Sequence, residues 1–200
     1  VFSIGSADFE NSTTNEELYM QYAYSLDLDS SFSGSDNLHV GIEAGNASGI
    51  LAGLDSAVTS DEDSPNSLAV SSLYYSFPVG DIAITAGPIV EADDLIAVTT
   101  SSYSEGLIAS SLPFSSHDEV GAGFGAAYVP DNGFSLSASI LSADGSDADK
   151  GINTDSSDDI VTLAAGFNGD GGFGGGIVYT STDGDDSLTE QTSFGAGVYY

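Results

Sequence analysis

From Glu17 the chain reads ELYMQYAYSLDLD, and its apolar side chains fall on every second residue. Leu18, Met20, Tyr22, Tyr24, Leu26 and Leu28 share one face of an extended chain; Tyr19, Gln21, Ala23, Ser25, Asp27 and Asp29 share the other. A helix of the same residues would carry no apolar stripe, so the period of two predicts a half-exposed β-strand. Its length also meets the about 9–11 residues that a tilted strand needs to cross a bilayer.

The pattern returns along the chain. Leu38, Val40, Ile42 and Ala44 alternate with His39, Gly41, Glu43 and Gly45. Leu68–Phe77 ends at the turn signature Pro78-Val79-Gly80-Asp81, and Ile82–Gly87 resumes the alternation. Val120–Val129 runs into Pro130-Asp131-Asn132-Gly133, which reads as a short hairpin connection. Phe134–Leu141, Ile160–Phe167, Phe173–Thr180 and Thr192–Tyr200 bring the expected total to about nine strands. Residues 1–16 read as a poorly defined lead-in to one all-β unit, residues 17–200.

Connection lengths alternate as well. Short turns lie near Pro78–Asp81, Pro130–Gly133 and Asn168–Gly172; long acidic stretches lie at Ala47–Ser67, Ile89–Glu119, Ala143–Asp159 and Ser181–Glu190. Short turns at one end and long loops at the other describe an antiparallel up-and-down β-barrel of the transmembrane kind. A Greek-key sandwich mixes loop lengths without that strict order. Several aromatics near strand ends, among them Tyr128, Tyr179, Tyr199 and Tyr200, and Tyr74, Tyr75 and Phe77 before a turn, suit interfacial girdles.

Charge then narrows the partners. The chain has 31 acidic residues against one cation, Lys150, for a formal charge of -30. Nucleic acid is excluded as a partner, because neutralising phosphates takes clustered Lys and Arg. A basic patch for anionic lipid is missing too. Carboxylates at this density repel one another less in salt, which screens them, so adaptation to a saline exterior is the simplest account of the acidity. With 40% hydrophobic residues the chain is nonetheless built to fold. It has no cysteine, so neither disulfides nor thiolate metal sites arise. No apolar run is long enough for a transmembrane helix, and no signal-peptide pattern follows Val1.

With these features in place, two stretches resemble a known family. LYYSFPVGDIAITAGPIVEADDLIAVTTSSYSEG (Leu73–Gly106) resembles the central segment of cyanobacterial outer-membrane porins related to the carbohydrate-selective porins. GAGFGAAYVPDNGFSLSASILSADGSDADKGINTD (Gly121–Asp155) resembles the segment that follows it, and the LHVGIEAGN strand fits the pair before both. The aromatic pair before Pro78, Gly87-Pro88 and Asp93-Asp94 are the most specific points. The resemblance implies an outer-membrane channel, a homotrimer as the full-length protein, passing ions and small hydrophilic solutes. Some members are described as uptake porins for carbohydrates or inorganic iron. A water-filled lumen takes about 16–18 strands, so about nine strands and the lack of the usual preceding S-layer-homology domain imply an internal piece of a longer barrel. The ending TSFGAGVYY looks like a terminal barrel strand, although motif order places it mid-barrel. Family members carry basic residues in the lumen and around the Gly-Pro segment; here Ile89, Glu91, His39 and Gly41 stand there, which removes the basis for anion preference.

Catalytic chemistry has little to draw on. His39 and His117 lie in no nucleophile or metal motif, and adjacent acids such as Asp93-Asp94 follow from composition, so no enzyme activity, cofactor or metal is expected. Asp61-Glu62-Asp63, Asp155 with Asp158 and Asp159, and Asp183 with Asp185 and Asp186 lack the spacing of a calcium loop. Ile89–Glu119 is too long for a plain connector. Folded inward, it would set Glu91, Asp93, Asp94, Glu105, Asp118 and Glu119 around a constriction, with Gln21, Asp27, His39 and Glu43 facing the lumen. Carboxylates in such a place favour cations. The competing expectation is a secreted or surface β-sandwich interaction module with calcium-binding acidic loops. The two differ in one respect: a channel turns its apolar strand faces outward to lipid, and a sandwich buries them.

Overall fold

The computed structural model describes residues 2–5, 19–46, 67–96, 119–169, 171–184 and 190–200. They form β1 (Phe2–Gly5), β2 (Tyr19–Ser30), β3 (Asn37–Gly45), β4 (Ala69–Val79), β5 (Ile82–Glu91), β6 (Val120–Tyr128), β7 (Phe134–Ser142), β8 (Asp159–Asn168), β9 (Gly174–Asp183) and β10 (Gln191–Tyr199), with one 3-10 turn at Asp93–Leu95. Hydrogen bonding follows sequence order from β1 to β10 in one antiparallel up-and-down sheet that is not closed. Nine strands coincide with the period-two segments; β1 is an addition, pairing Phe2 with Tyr22 and Gly5 with Tyr19 within the stretch expected as lead-in.

Two compact units make up the chain. The first, residues 1–29 and 40–72, holds β1, most of β2 and parts of β3 and β4. There Asn46 clasps β2 twice: its N–H donates to the Tyr22 carbonyl at 3.0 Å, and its Oδ1 accepts from the Tyr22 N–H at 2.8 Å.

The second unit, residues 30–39 and 73–200, contains β5 to β10 whole. Its β4–β5 hairpin turns on Gly80 and Asp81 alone, because Val79 pairs with Ile82. Gly80 takes φ 63°, a value that a side chain would resist. β5 runs past Gly87 to Glu91, with a register shift between Gly87 and Val90. Pro88 sits inside that shift, where its missing N–H costs no regular ladder bond.

Asp36 anchors the β2–β3 turn. Its buried carboxylate accepts from the backbone N–H groups of Phe32 (3.1 Å) and Ser33 (2.6 Å), from the Ser31 hydroxyl (2.9 Å), from the Ser33 hydroxyl, and from the Tyr75 hydroxyl of β4 (2.6 Å). The Ser33 hydroxyl first, and then Tyr75, hold this carboxyl far below the usual carboxylate range against the opposing effect of burial. The turn is thus tied to a strand distant in sequence by an ionised acid.

A hydroxyl-lined sheet face as the candidate functional site

Pairing in the second unit sorts side chains into two faces. One cross-strand row reads Ser76, Thr85, Gly125, Ser139, Thr162, Thr180, Ser193. The neighbouring rows on the same face read Ala127, Ser137, Ala164, Val178, Gly195 and Gly123, Leu141, Ile160, Thr182, Gln191. None of these positions carries a charge. Directly opposed residues lie on the same side of a sheet, so the hydroxyls form a belt across seven strands. Ser76 and Thr85 hydrogen-bond to each other at 2.8 Å. The hydroxyls of Ser135, Ser137, Thr162, Thr180 and Thr182 are buried and have no hydrogen-bond partner among the described residues.

The opposite face inverts the usual arrangement of a water-soluble domain. Phe124, Leu136, Leu163 (49% exposed), Ile177, Tyr179 and Phe194 (68% exposed) stand outward on consecutive strands. A shallow depression of about 450 Å³ on this face is lined by Ile82, Ala126, Tyr128, Leu163 and Ile177 among other mainly apolar residues, so it offers a polar solute little to bind. In β2, Met20 (57%), Tyr24, Leu26 and Leu28 are exposed as well, while Tyr22 is half-buried. Ser25, Asp27 and Asp29 are exposed too, so β2 does not separate the two faces as β6 to β10 do. Leu18 lies outside the described residues.

At the end of the sheet where the long connections begin, the hydroxyl face becomes apolar. Val90, Ala92, Leu95, Leu141 and Ile160 form a buried cluster with Tyr74 packed against it. Leu95 comes from the 3-10 turn, which therefore lies on the hydroxyl face. The Ala92 N–H donates to the Glu119 carbonyl at 3.1 Å, joining the two ends of the Ile89–Glu119 connection.

The expected constriction acids gather in part. Glu91 and Glu119 adjoin across the end of β5 and β6, with exposed Asp94 and the backbone of Asp93 in the adjacent turn. Glu105 and Asp118 lie outside the described residues. Of the lumen-facing set, His39 stacks on Tyr74 with ring centroids 4.7 Å apart, beside the apolar cluster. Gln21 and exposed Asp27 lie in β2, and half-buried Glu43 lies in β3. Tyr74 departs from the interfacial placement expected of it, since it packs on the hydroxyl face and Tyr75 and Phe77 take the other side.

More acid borders the same end. The β7–β8 connection folds on itself: the Ser142 hydroxyl donates to the Gly151 carbonyl at 3.1 Å, the Asn153 N–H donates to Asp159 at 3.1 Å, and Ala143 N–H donates to the Asp158 carbonyl at 3.0 Å. Lys150, the chain's sole Lys or Arg, bridges Asp144 at 3.1 Å within that loop. Among the described residues no group of three or more His, Asp or Glu side chains is placed to hold a metal ion. Asp61-Glu62-Asp63, Asp185 and Asp186 lie outside them.

Along the sequence the acids are conspicuous and the hydroxyl belt is not. The signal lies in FSLSASILS, where Ser135, Ser137 and Ser139 alternate with the apolar residues Phe134, Leu136, Ala138 and Ile140. Comparison with protein families, curated proteins and solved structures finds no match for this chain.

Proposed function

We propose that this chain belongs to an outer-membrane β-barrel channel through which ions and small hydrophilic solutes diffuse passively, with cations favoured. The observation that carries the reading is the inverted polarity of β6 to β10: large apolar side chains stand exposed while hydroxyls without partners among the described residues are buried. A dry core would lose about 1–3 kcal/mol for each unsatisfied hydroxyl. Lipid on the apolar face and water on the hydroxyl face remove both difficulties together. A sandwich stabilised by calcium would instead have covered the apolar face.

The membrane setting adds a requirement. Unpaired strand edges are not tolerated in hydrocarbon, so the outer edge of β10 must be paired by a further strand. A closed barrel supplies that pairing, and about 16–18 strands leave room for a water-filled lumen. A homotrimer is the assembly proposed for the full-length protein. Uptake assays with carbohydrates and with inorganic iron test the cargo.

Cation preference follows from where the charges lie. The middle of the hydroxyl face is neutral, and Asp94, Glu119 and Asp144 lie at the end of the sheet where the long connections begin; Glu91, opposite exposed Val120, and Asp159, opposite Ser142, are at the same end on the apolar side. Lys150 is engaged by Asp144, so it contributes little positive field at that rim. Negative rims concentrate cations and repel anions at a range set by the Debye length. In planar bilayers under a KCl gradient, the reversal potential should report cation preference. It should weaken as the screening length falls from about 10 Å at 0.1 M salt to about 3 Å at 1 M. Anion preference, or selectivity indifferent to salt, would count against the proposal.

A further inference from the structure

The hydroxyl row has one gap, Gly125, and that gap is occupied. A Cβ placed on Gly125 would lie 2.2 Å from the Leu95 carbonyl oxygen and 3.0 Å from the Leu95 Cβ. Two residues earlier on the same face, a Cβ on Gly123 would meet Leu95 Cδ1 at 3.0 Å and the Ile140 carbonyl oxygen at 2.7 Å. The backbone of the Asp93–Leu95 turn therefore lies against β6 at a distance that only glycine permits. Leu95 is 2% exposed, with its side chain held among Val90, Ala92, Leu141 and Ile160. The turn is fixed to the wall by an apolar anchor and by the Ala92–Glu119 hydrogen bond.

We propose that Gly125 is the clearance residue of the passage: it lets the inward turn lie flat on the wall, and so sets how much of the bore stays open. The inference rests on the channel reading. Any side chain at this position must lift the turn away from the sheet, and the space on that side is the passage itself. A serine there would restore the hydroxyl row, yet the sequence keeps glycine at this point of contact. Gly197 provides a contrast, since a Cβ there would meet nothing within 4 Å.

Single-channel conductance in planar bilayers tests the role. Gly125→Ala should lower conductance and Gly125→Val should lower it further, while Gly197→Ala should leave it at the wild-type value. Unchanged or raised conductance in both Gly125 variants would overturn the inference. A thiol reading covers the case in which a variant folds poorly, because the chain has no cysteine of its own. Leu95→Cys alone should react slowly with a hydrophilic maleimide, and adding Gly125→Ala should speed it. Fast reaction in the single variant would overturn the docking of the turn. Absence of any wild-type channel would overturn the channel reading and the clearance role together, and the labelling contrast would show that this failure differs from an undocked turn.

Discussion

Leu163→Arg is expected to destabilise the protein in a bilayer by about 2–4 kcal/mol, the cost of a cationic side chain near the midplane of a lipid-facing strand. Leu163 lies in β8 between Ala138 and Tyr179 on the apolar face, and its side chain is about half exposed. On a surface facing water such a substitution falls within about 0.5 kcal/mol of neutral. The difference between these outcomes is large enough for equilibrium denaturant unfolding in lipid vesicles. Asp131→Arg, in the turn between β6 and β7, is the internal comparison and should change stability little. A Leu163→Arg protein as stable as its parent would place that face in water.

The hydroxyl face makes the complementary prediction. Thr162 and Thr180 are paired across β8 and β9, are 1% and 2% exposed, and have no partner for either hydroxyl among the described residues. Were this face a dry core, replacing both by valine would relieve an unsatisfied group worth about 1–3 kcal/mol at each site. With water as the partner there is nothing to relieve, and each site should lose about 0.5–1.5 kcal/mol of hydrogen bonding. The double variant Thr162→Val/Thr180→Val should therefore fail to gain stability. Its conductance should also fall, because apolar walls dewet narrow passages. A clear rise in stability would mark the face as an ordinary interior.

Much of this architecture was legible in the order of residues, for a simple reason. A strand with different surroundings on its two sides must alternate, and several of the nine segments from Leu18 to Tyr200, such as 18–29, 38–45 and 134–139, do so. Ends were harder to place. FSIG in β1 is too short to show a period, and Pro88 conceals the continuation of β5 because the strand survives there only through a register shift. Acids at the β5–β6 end could be singled out because carboxylates are conspicuous; Glu91 and Glu119 meet only because Glu91 and Val120 are opposed in the sheet. The belt depended on pairing register, which no single strand states. Serine and threonine are chemically quiet in isolation, and only the alignment of Ser139, Thr162 and Thr180 makes them a surface. The seat of Leu95 on Gly125 joins residues far apart in the chain, so VGAGFGAAY alone shows small residues without saying what lies on them.

Lipid and water are expected on opposite sides of the same strands. Single cysteines at successive positions from Phe134 to Ser139 can test this in a chain that otherwise lacks thiols. In proteoliposomes, positions 135, 137 and 139, which are 3–8% exposed, should be spared by a lipid-dissolved quencher when they carry an environment-sensitive probe. Positions 134, 136 and 138, carrying an environment-sensitive probe, should be quenched by a lipid-dissolved quencher. The opposite phase, or the absence of any period of two, would contradict it.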